Sequence, residues 1–269
     1  MRAIAAFIVS LCLVGFVAGA EFQPYAGPKP IAVLIQTDPW LLMMGSDTPR
    51  VAIYEDGTVI FAKRVDKRLA YHRGTLDKAG LKKVREQIDA VLSRSDVRAS
   101  YNIRPNATDQ SEAKFYLSDG RKQMTTTVYG LMAPNTELPG YTQFPRGTKA
   151  RIPPRQVFAL HRWICSLDIA DSKEWTPSYV EVMFWDDSPE ASETTDWPKG
   201  WPALDSPRAV KRGDQYSVFL DGSSLPEFRK FRESRPGRVA ISGKKMSMSY
   251  RLAFPSEPIW QEAFAERKK

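Results

Sequence analysis

The chain of 269 residues carries 39 Lys and Arg against 31 Asp and Glu, is 42% apolar, and holds two Cys and two His. That apolar share excludes a disordered chain, and so few Cys and His exclude a disulfide framework, a four-cysteine zinc site and a three-histidine metal centre. No cofactor is expected, and no G-x-S-x-G elbow, H-E-x-x-H pair or P-loop nominates a catalytic class.

In chain order, residues 1–20 read as a signal peptide. Arg2 supplies the positive end, Ala3 to Val17 is almost wholly apolar, and Ala18-Gly19-Ala20 fits the small-x-small cleavage rule. Cleavage near Ala20 predicts an exported protein, periplasmic or extracellular, with Cys165 as its single cysteine and no transmembrane segment in the mature chain. An uncleaved anchor is the alternative. Residues 21–30 contain three prolines and read as an extended leader.

Ile31 to Ile35 predicts a strand. The runs Arg50–Tyr54 and Thr58–Phe61, rich in β-branched and aromatic residues, flank Glu55-Asp56-Gly57 and predict a β-hairpin. The pattern recurs at Ala113–Leu117 and Gln123–Tyr129 around Ser118-Asp119-Gly120, and again at Arg238–Ser242 and Lys245–Phe254, turning at Gly243. Helices are expected from Leu76 to Leu92 behind a Thr75 cap, from Pro154 to Leu167, from Ser224 with Glu227 completing a capping box, and behind Ser256. With no β-α-β alternation, the order predicts an α+β fold: antiparallel sheets built from Asp-Gly hairpins, packed helices and two subdomains. Residues 31–185 form the first subdomain in this reading, 186–214 a loop seam, and 215–269 a second, smaller α+β portion.

The stretch Pro49-Arg50-Val51-Ala52-Ile53-Tyr54-Glu55-Asp56-Gly57-Thr58-Val59-Ile60 resembles the opening of a group of uncharacterised exported bacterial proteins. In that group a P-x-x-x-Y-x-D-G-x-V hairpin precedes a helix that starts like Gly74-Thr75-Leu76. The ending Tyr250–Glu257 is similar to their C-terminal strand and Pro-x-Glu close. The likeness covers about a fifth of the chain and rests on turns and caps. The group has no assigned activity, so the resemblance implies export and implies no functional residue. Many members carry a lipobox or paired cysteines, and this chain carries neither.

The charge is uneven. Residues 63–104 hold 12 Lys and Arg against 5 Asp and Glu, and the rest of the mature chain is balanced. Lys63, Arg64, Lys67, Arg68 and Arg73 cluster in the link between hairpin and helix, and Lys82 and Lys83 add to them from the helix. Such a patch concentrates anions. For an exported protein it points to an anionic envelope polymer or a lipid surface, and no nucleic-acid motif accompanies it. The plainer reading is a solvated face, partly neutralised by the acidic run at residues 186–196. Trp197 and Trp201, each followed by Pro, form either an aromatic platform for a ligand or two anchors folded back onto the sheet. His161 and Cys165, one helical turn apart, match a Cys–His nucleophile in spacing, but their apolar flanks favour a buried thiol beside a satisfied histidine.

The reading is therefore a non-enzymatic exported protein that binds an anionic envelope polymer or membrane surface through a basic face. Two alternatives stand beside it. One is a carboxylate-dependent hydrolase using acids near residues 186–201. The other is a protein–protein interaction or inhibitor module using the Trp-Pro loop and the apolar insert Trp40–Met44.

Overall fold

A computed structural model describes residues 22–37, 47–65, 68–131, 151–186, 193–234 and 238–266. Its elements begin with β1 (Pro30–Thr37), β2 (Pro49–Tyr54), β3 (Thr58–Val65), β4 (Arg68–Thr75), α1 (Lys78–Leu92) and β5 (Ser100–Asn102). They continue with β6 (Glu112–Ser118), β7 (Gln123–Tyr129), α2 (Arg155–Cys165), β8 (Lys173–Glu174), β9 (Tyr179–Trp185) and β10 (Thr194–Asp196). The last are β11 (Ala209–Arg212), β12 (Gln215–Asp221), a 3₁₀ turn at Gly222–Ser224, α3 (Leu225–Glu233), β13 (Arg238–Ile241), β14 (Lys244–Leu252) and α4 (Glu257–Glu266).

The strands form two sheets, ordered β5-β7-β6-β1-β2-β3-β4-β8 and β10-β13-β14-β9-β12-β11. Pairing is antiparallel except at β5–β7 and β10–β13, which are parallel. The fold is α+β, as the sequence predicts. The first sheet ends at β8 and the second starts at β9, which lies at its centre between β14 and β12. The change of sheet therefore falls ahead of residue 179 rather than within the long loop that the sequence marks as a seam.

β1 is central, with β2 on one side and β6 on the other. A central strand covered on both faces is apolar at every position, and Ile31 to Ile35 is such a run. Its alternate residues serve two cores. Leu34, with Ile53, Val59, Phe61, Phe115 and Leu117, faces α1 and α2. Val33 and Ile35, with Ala52, Tyr54, Ile60 and Tyr116, join one buried cluster with the second sheet, α3, Phe254 and Trp260. The two sheets thus share a core. Each large apolar side chain fully buried there is worth about 1.5–3 kcal/mol.

Local chemistry explains most of the turns. The Asp56 carboxylate accepts from the Thr58 amide, and the Asp119 carboxylate from those of Arg121 and Lys122, closing the two Asp-Gly hairpins. Ser242 and Gly243 both take positive φ, 48° and 75°, as a two-residue hairpin turn requires. Gly222 has a different reason to be glycine: a Cβ there would collide with the Pro177 carbonyl.

Three caps differ from expectation. Asp77, not Thr75, caps α1 by accepting from the Gly80 amide, because Thr75 still belongs to β4. Ser224 makes no side-chain cap bond, since a 3₁₀ turn leads into α3 and holds Ser224 in a helical conformation. The Ser256 hydroxyl donates to the Gly27 carbonyl and ties the leader to the C-terminal segment. The larger difference is β4. Residues 63–73 read as a link because they are rich in cations, yet β3 and β4 pair without a shift from Thr58↔Thr75 to Val65↔Arg68.

Candidate functional site

The β3–β4 pairing decides where the expected basic residues lie. Side chains alternate along a strand. Phe61 belongs to the core beneath α1 and α2, so Lys63 shares that side. Ile60 belongs to the shared core, so Arg64 and the cross-strand partner of Ile60, Arg73, lie on the opposite side. The cluster that is contiguous in sequence is therefore divided between two faces. Lys63 is bonded to Asp168 at 2.8 Å, and exposed Arg73 borders a polar hollow that also contains Asp171 and Glu174. Arg68 lies opposite Val65 at the hairpin end, and Lys67 lies outside the described residues.

α1 keeps its cations together. Val84, Ile88 and Val91 are buried against the first sheet, which leaves Lys82, Lys83 and Arg85 exposed on the outer surface. Lys82 has Glu86 one turn on at 3.9 Å, an exposed pair worth only a few tenths of a kcal/mol. Lys83 has no ion pair among the described residues.

The Trp-Pro loop is drawn into the core. Trp197 is 8% exposed, its indole N–H donates to the Pro202 carbonyl at 3.0 Å, and its ring meets Phe184 and Trp201 edge-on at 5.1 and 4.9 Å. Trp201 packs in turn on Phe228 and Phe231 of α3. The two rings present no open platform; they anchor the loop to the second sheet. In the acidic run, Asp186 meets Arg238 at 3.4 Å, and Asp196 is exposed on β10. Residues 187–192 and the apolar insert Trp40–Met44 lie outside the described residues.

His161 Nε2 and Cys165 Sγ are 3.6 Å apart. Burial, assisted by Arg50, lowers the imidazole to about 4, and burial pushes the thiol up despite Arg50. Both shifts favour the neutral partners, so the pair does not form the thiolate that a nucleophile needs.

Charged groups also meet in the interior, in a cluster the sequence does not announce. Glu181 of β9 is wholly buried, with Arg251 of β14 directly opposite on the neighbouring strand. Arg251 Nε donates to Glu181 Oε2 at 2.6 Å, and its Nη1 reaches Glu257 Oε1 at 2.7 Å and Asp47 Oδ2 at 2.9 Å. Tyr25 of the leader donates to Glu181 Oε2 at 2.8 Å and Ser217 to Oε1 at 2.6 Å, while Gln261 donates to Asp47. Burial alone would raise the Glu181 carboxyl; Arg251 and the bonds from Ser217 and Tyr25 outweigh it and hold it below its usual range. Burial pushes Glu257 up to about 7, since Arg251 and the Phe254 amide offset it only in part and the Glu181 and Asp47 charges add to it. Glu181 and Glu257 are two carboxylates close together, but at 0% and 2% exposure they meet protein and not solvent. The cluster ties the leader, the segment before β2, three strands and α4 to one guanidinium.

The open concave surface is on α2. A groove of about 760 Å³ runs along its outer side, floored by Ile152, Phe158, Ala159 and Trp163 and flanked by Arg155 and Arg162. A second hollow of about 370 Å³ adjoins it, sharing Ile152 and Pro153 and adding Arg98, Arg151 and Tyr101. Arg98, Arg151, Arg155 and Arg162 are exposed, and none has an ion pair among the described residues. Asp96, the one acid among the described residues lining these hollows, is held by Arg94 at 2.7 Å. α1 and α2 pack against each other on the same face of the first sheet, so these arginines extend the cationic surface of Lys82 and Lys83. The sequence carries this signal as positions 155, 158, 159, 162, 163 and 166, one stripe of the helix on the side away from His161.

Among the described residues no group of His, Cys, Asp and Glu is placed to hold a metal ion, and no helix is long and apolar enough to cross a membrane. Compared with family models, curated proteins and solved structures, the chain matches none.

Proposed function

We propose that this is an exported, non-enzymatic binding protein that contacts an anionic envelope polymer or membrane surface through the layer formed by α1 and α2. The observation that carries the reading is that Lys83, Arg98, Arg151, Arg155 and Arg162 have no ion pair among the described residues, in contrast to the engaged Arg251 and Lys63 elsewhere. Cations left without partners on one face raise the local concentration of anions and draw an anionic surface to that face. The tract at residues 1–20 supports export, and the division of the β3–β4 cations between two faces moves the centre of the site toward the helices.

Binding of the purified mature protein to anionic polymers and to vesicles with and without anionic lipid, at low and high salt, tests the reading. Binding that weakens with salt, requires anionic lipid or polymer and falls on Lys82→Glu with Lys83→Glu is expected, because exposed charges are screened beyond about 10 Å at 0.1 M salt. Binding equal on neutral and anionic vesicles, or none at low salt, would overturn it.

A further inference from the structure

The groove on α2 and the hollow beside it differ in chemistry. The floor of the larger one is Ile152, Phe158, Ala159 and Trp163, and Ile152 is 42% exposed, unusually open for so apolar a side chain. The smaller one is polar and is bordered by Arg98 and Arg151. The two meet at Ile152 and Pro153, and Arg155, the first residue of α2, borders the larger one. That helix end has no capping side chain and no acid in its first turn, so the positive end of its dipole adds to the arginines there. An apolar trough that opens at one end onto cations with no ion pair among the described residues matches a ligand that is apolar along its length and anionic at its head.

We propose that the α2 groove binds one acyl chain of an anionic lipid, with the headgroup held between Arg98 and Arg151 and the chain laid along Phe158, Ala159 and Trp163. Arg162 flanks the chain with its aliphatic stem and keeps its charge at the surface. The volume suits a single chain, since pockets for small ligands run from about 300 to 1,000 Å³. The proposal rests on the reading of this face as an anion-binding surface and adds to it a defined stoichiometric site. A purely electrostatic face would bind any dense anionic surface and have no use for the exposed Ile152 and Ala159 beside it.

Calorimetric titration of the mature protein with dodecyl phosphate below its micelle concentration tests this, with dodecyl maltoside and inorganic phosphate as separate probes. Dodecyl phosphate should bind saturably, one per protein, and each of the other two at least about tenfold more weakly, a difference of about 1.4 kcal/mol. Ala159→Glu, at an exposed position on the floor, and the pair Arg98→Glu with Arg151→Glu should each weaken binding by about tenfold or more with the circular dichroism spectrum unchanged. Lys82→Glu with Lys83→Glu should leave it within about twofold while reducing vesicle binding, which separates failure of this site from failure of the surface reading.

Equal binding of dodecyl maltoside would overturn the role of the arginines, and equal binding of inorganic phosphate would overturn the role of the groove. No binding of dodecyl phosphate, or a concentration-dependent dimer that Ala159→Glu dissolves in place of binding, would overturn the proposal outright. In either case vesicle binding lost in the lysine variant would leave the surface reading standing.

Discussion

Arginine does two different jobs in this molecule. Arg251, nearly buried, is surrounded by Asp47, Glu181 and Glu257, and Glu181 is further bonded by Tyr25 and Ser217. Arg98, Arg151, Arg155 and Arg162 stand around an open groove, and no carboxylate among the described residues pairs with them. The first arrangement follows from desolvation, which makes a buried charge tolerable only when it is paired and hydrogen-bonded. In the second, water satisfies the guanidinium groups and no partner is required for stability. A chain that pairs its interior cation so fully, and places four surface cations near one another with no ion pair among the described residues, has a surface suited to an external anion.

The sharpest way to break the comparison is to remove one arginine from each region. Arg251→Ala leaves Glu257 without its cation and Glu181 with only the longer contact to Arg212 at 3.6 Å, and it should cost about 3–5 kcal/mol in urea denaturation. A loss under about 1 kcal/mol would mean that the cluster is less desolvated than its burial indicates.

Tyr25→Phe removes one bond to the Glu181 carboxylate and loosens the leader from β9; a loss of about 1.5–3 kcal/mol is expected, as for hydrogen bonds to charged groups. Ring packing of Tyr25 on Phe219 survives that change, so the loss isolates the hydroxyl.

Within the buried cluster the two glutamates should respond to pH in opposite directions. The folded Glu257 carboxyl lies near 7 against an ordinary 4.5, so its stabilising contribution is full below about pH 4.5 and is lost as the pH rises through 7. Glu181 is held below its ordinary value, so its contribution is full above about pH 4.5 and is lost as the pH falls through its lowered folded value. Denaturation midpoints taken between pH 4.5 and 8 should therefore decline with pH in the native protein. Glu257→Gln should flatten that decline whatever its cost in absolute stability. An unchanged slope would show that Glu257 is already ionised across the range.

The smallest effect belongs to the surface. Arg155→Glu and Arg162→Glu should each shift stability by no more than about 0.5 kcal/mol, the usual range for exposed positions without partners. A large loss in either would reveal a structural partner and remove the contrast with Arg251.

These two regions were unequally legible in the sequence. The Asp-Gly hairpins, the apolar face of α1 and the continuous run of β1 follow from local periodicity and turn chemistry, and the structure reproduces them. β4 is obscured because its short apolar alternation, Leu69 and Tyr71, is outweighed by flanking cations, and the pleat of the β3–β4 pair divides Lys63 from Arg64 and Arg73. The Arg251 cluster joins residues 25, 47, 181, 217, 251 and 257, a juxtaposition made only by strand pairing and the docking of α4. No local pattern foretells it. The groove arginines were visible at helical spacing on α2, but their lack of partners became apparent only once the neighbouring acids had been placed.

The most direct measurement is hydrogen exchange of the purified protein with and without anionic vesicles. The account predicts new protection in α1, in residues 94–104 and in α2, with β9, β12 and β14 unchanged. Protection confined to the Trp197–Trp201 loop and α3, or spread evenly over both sheets, would contradict it.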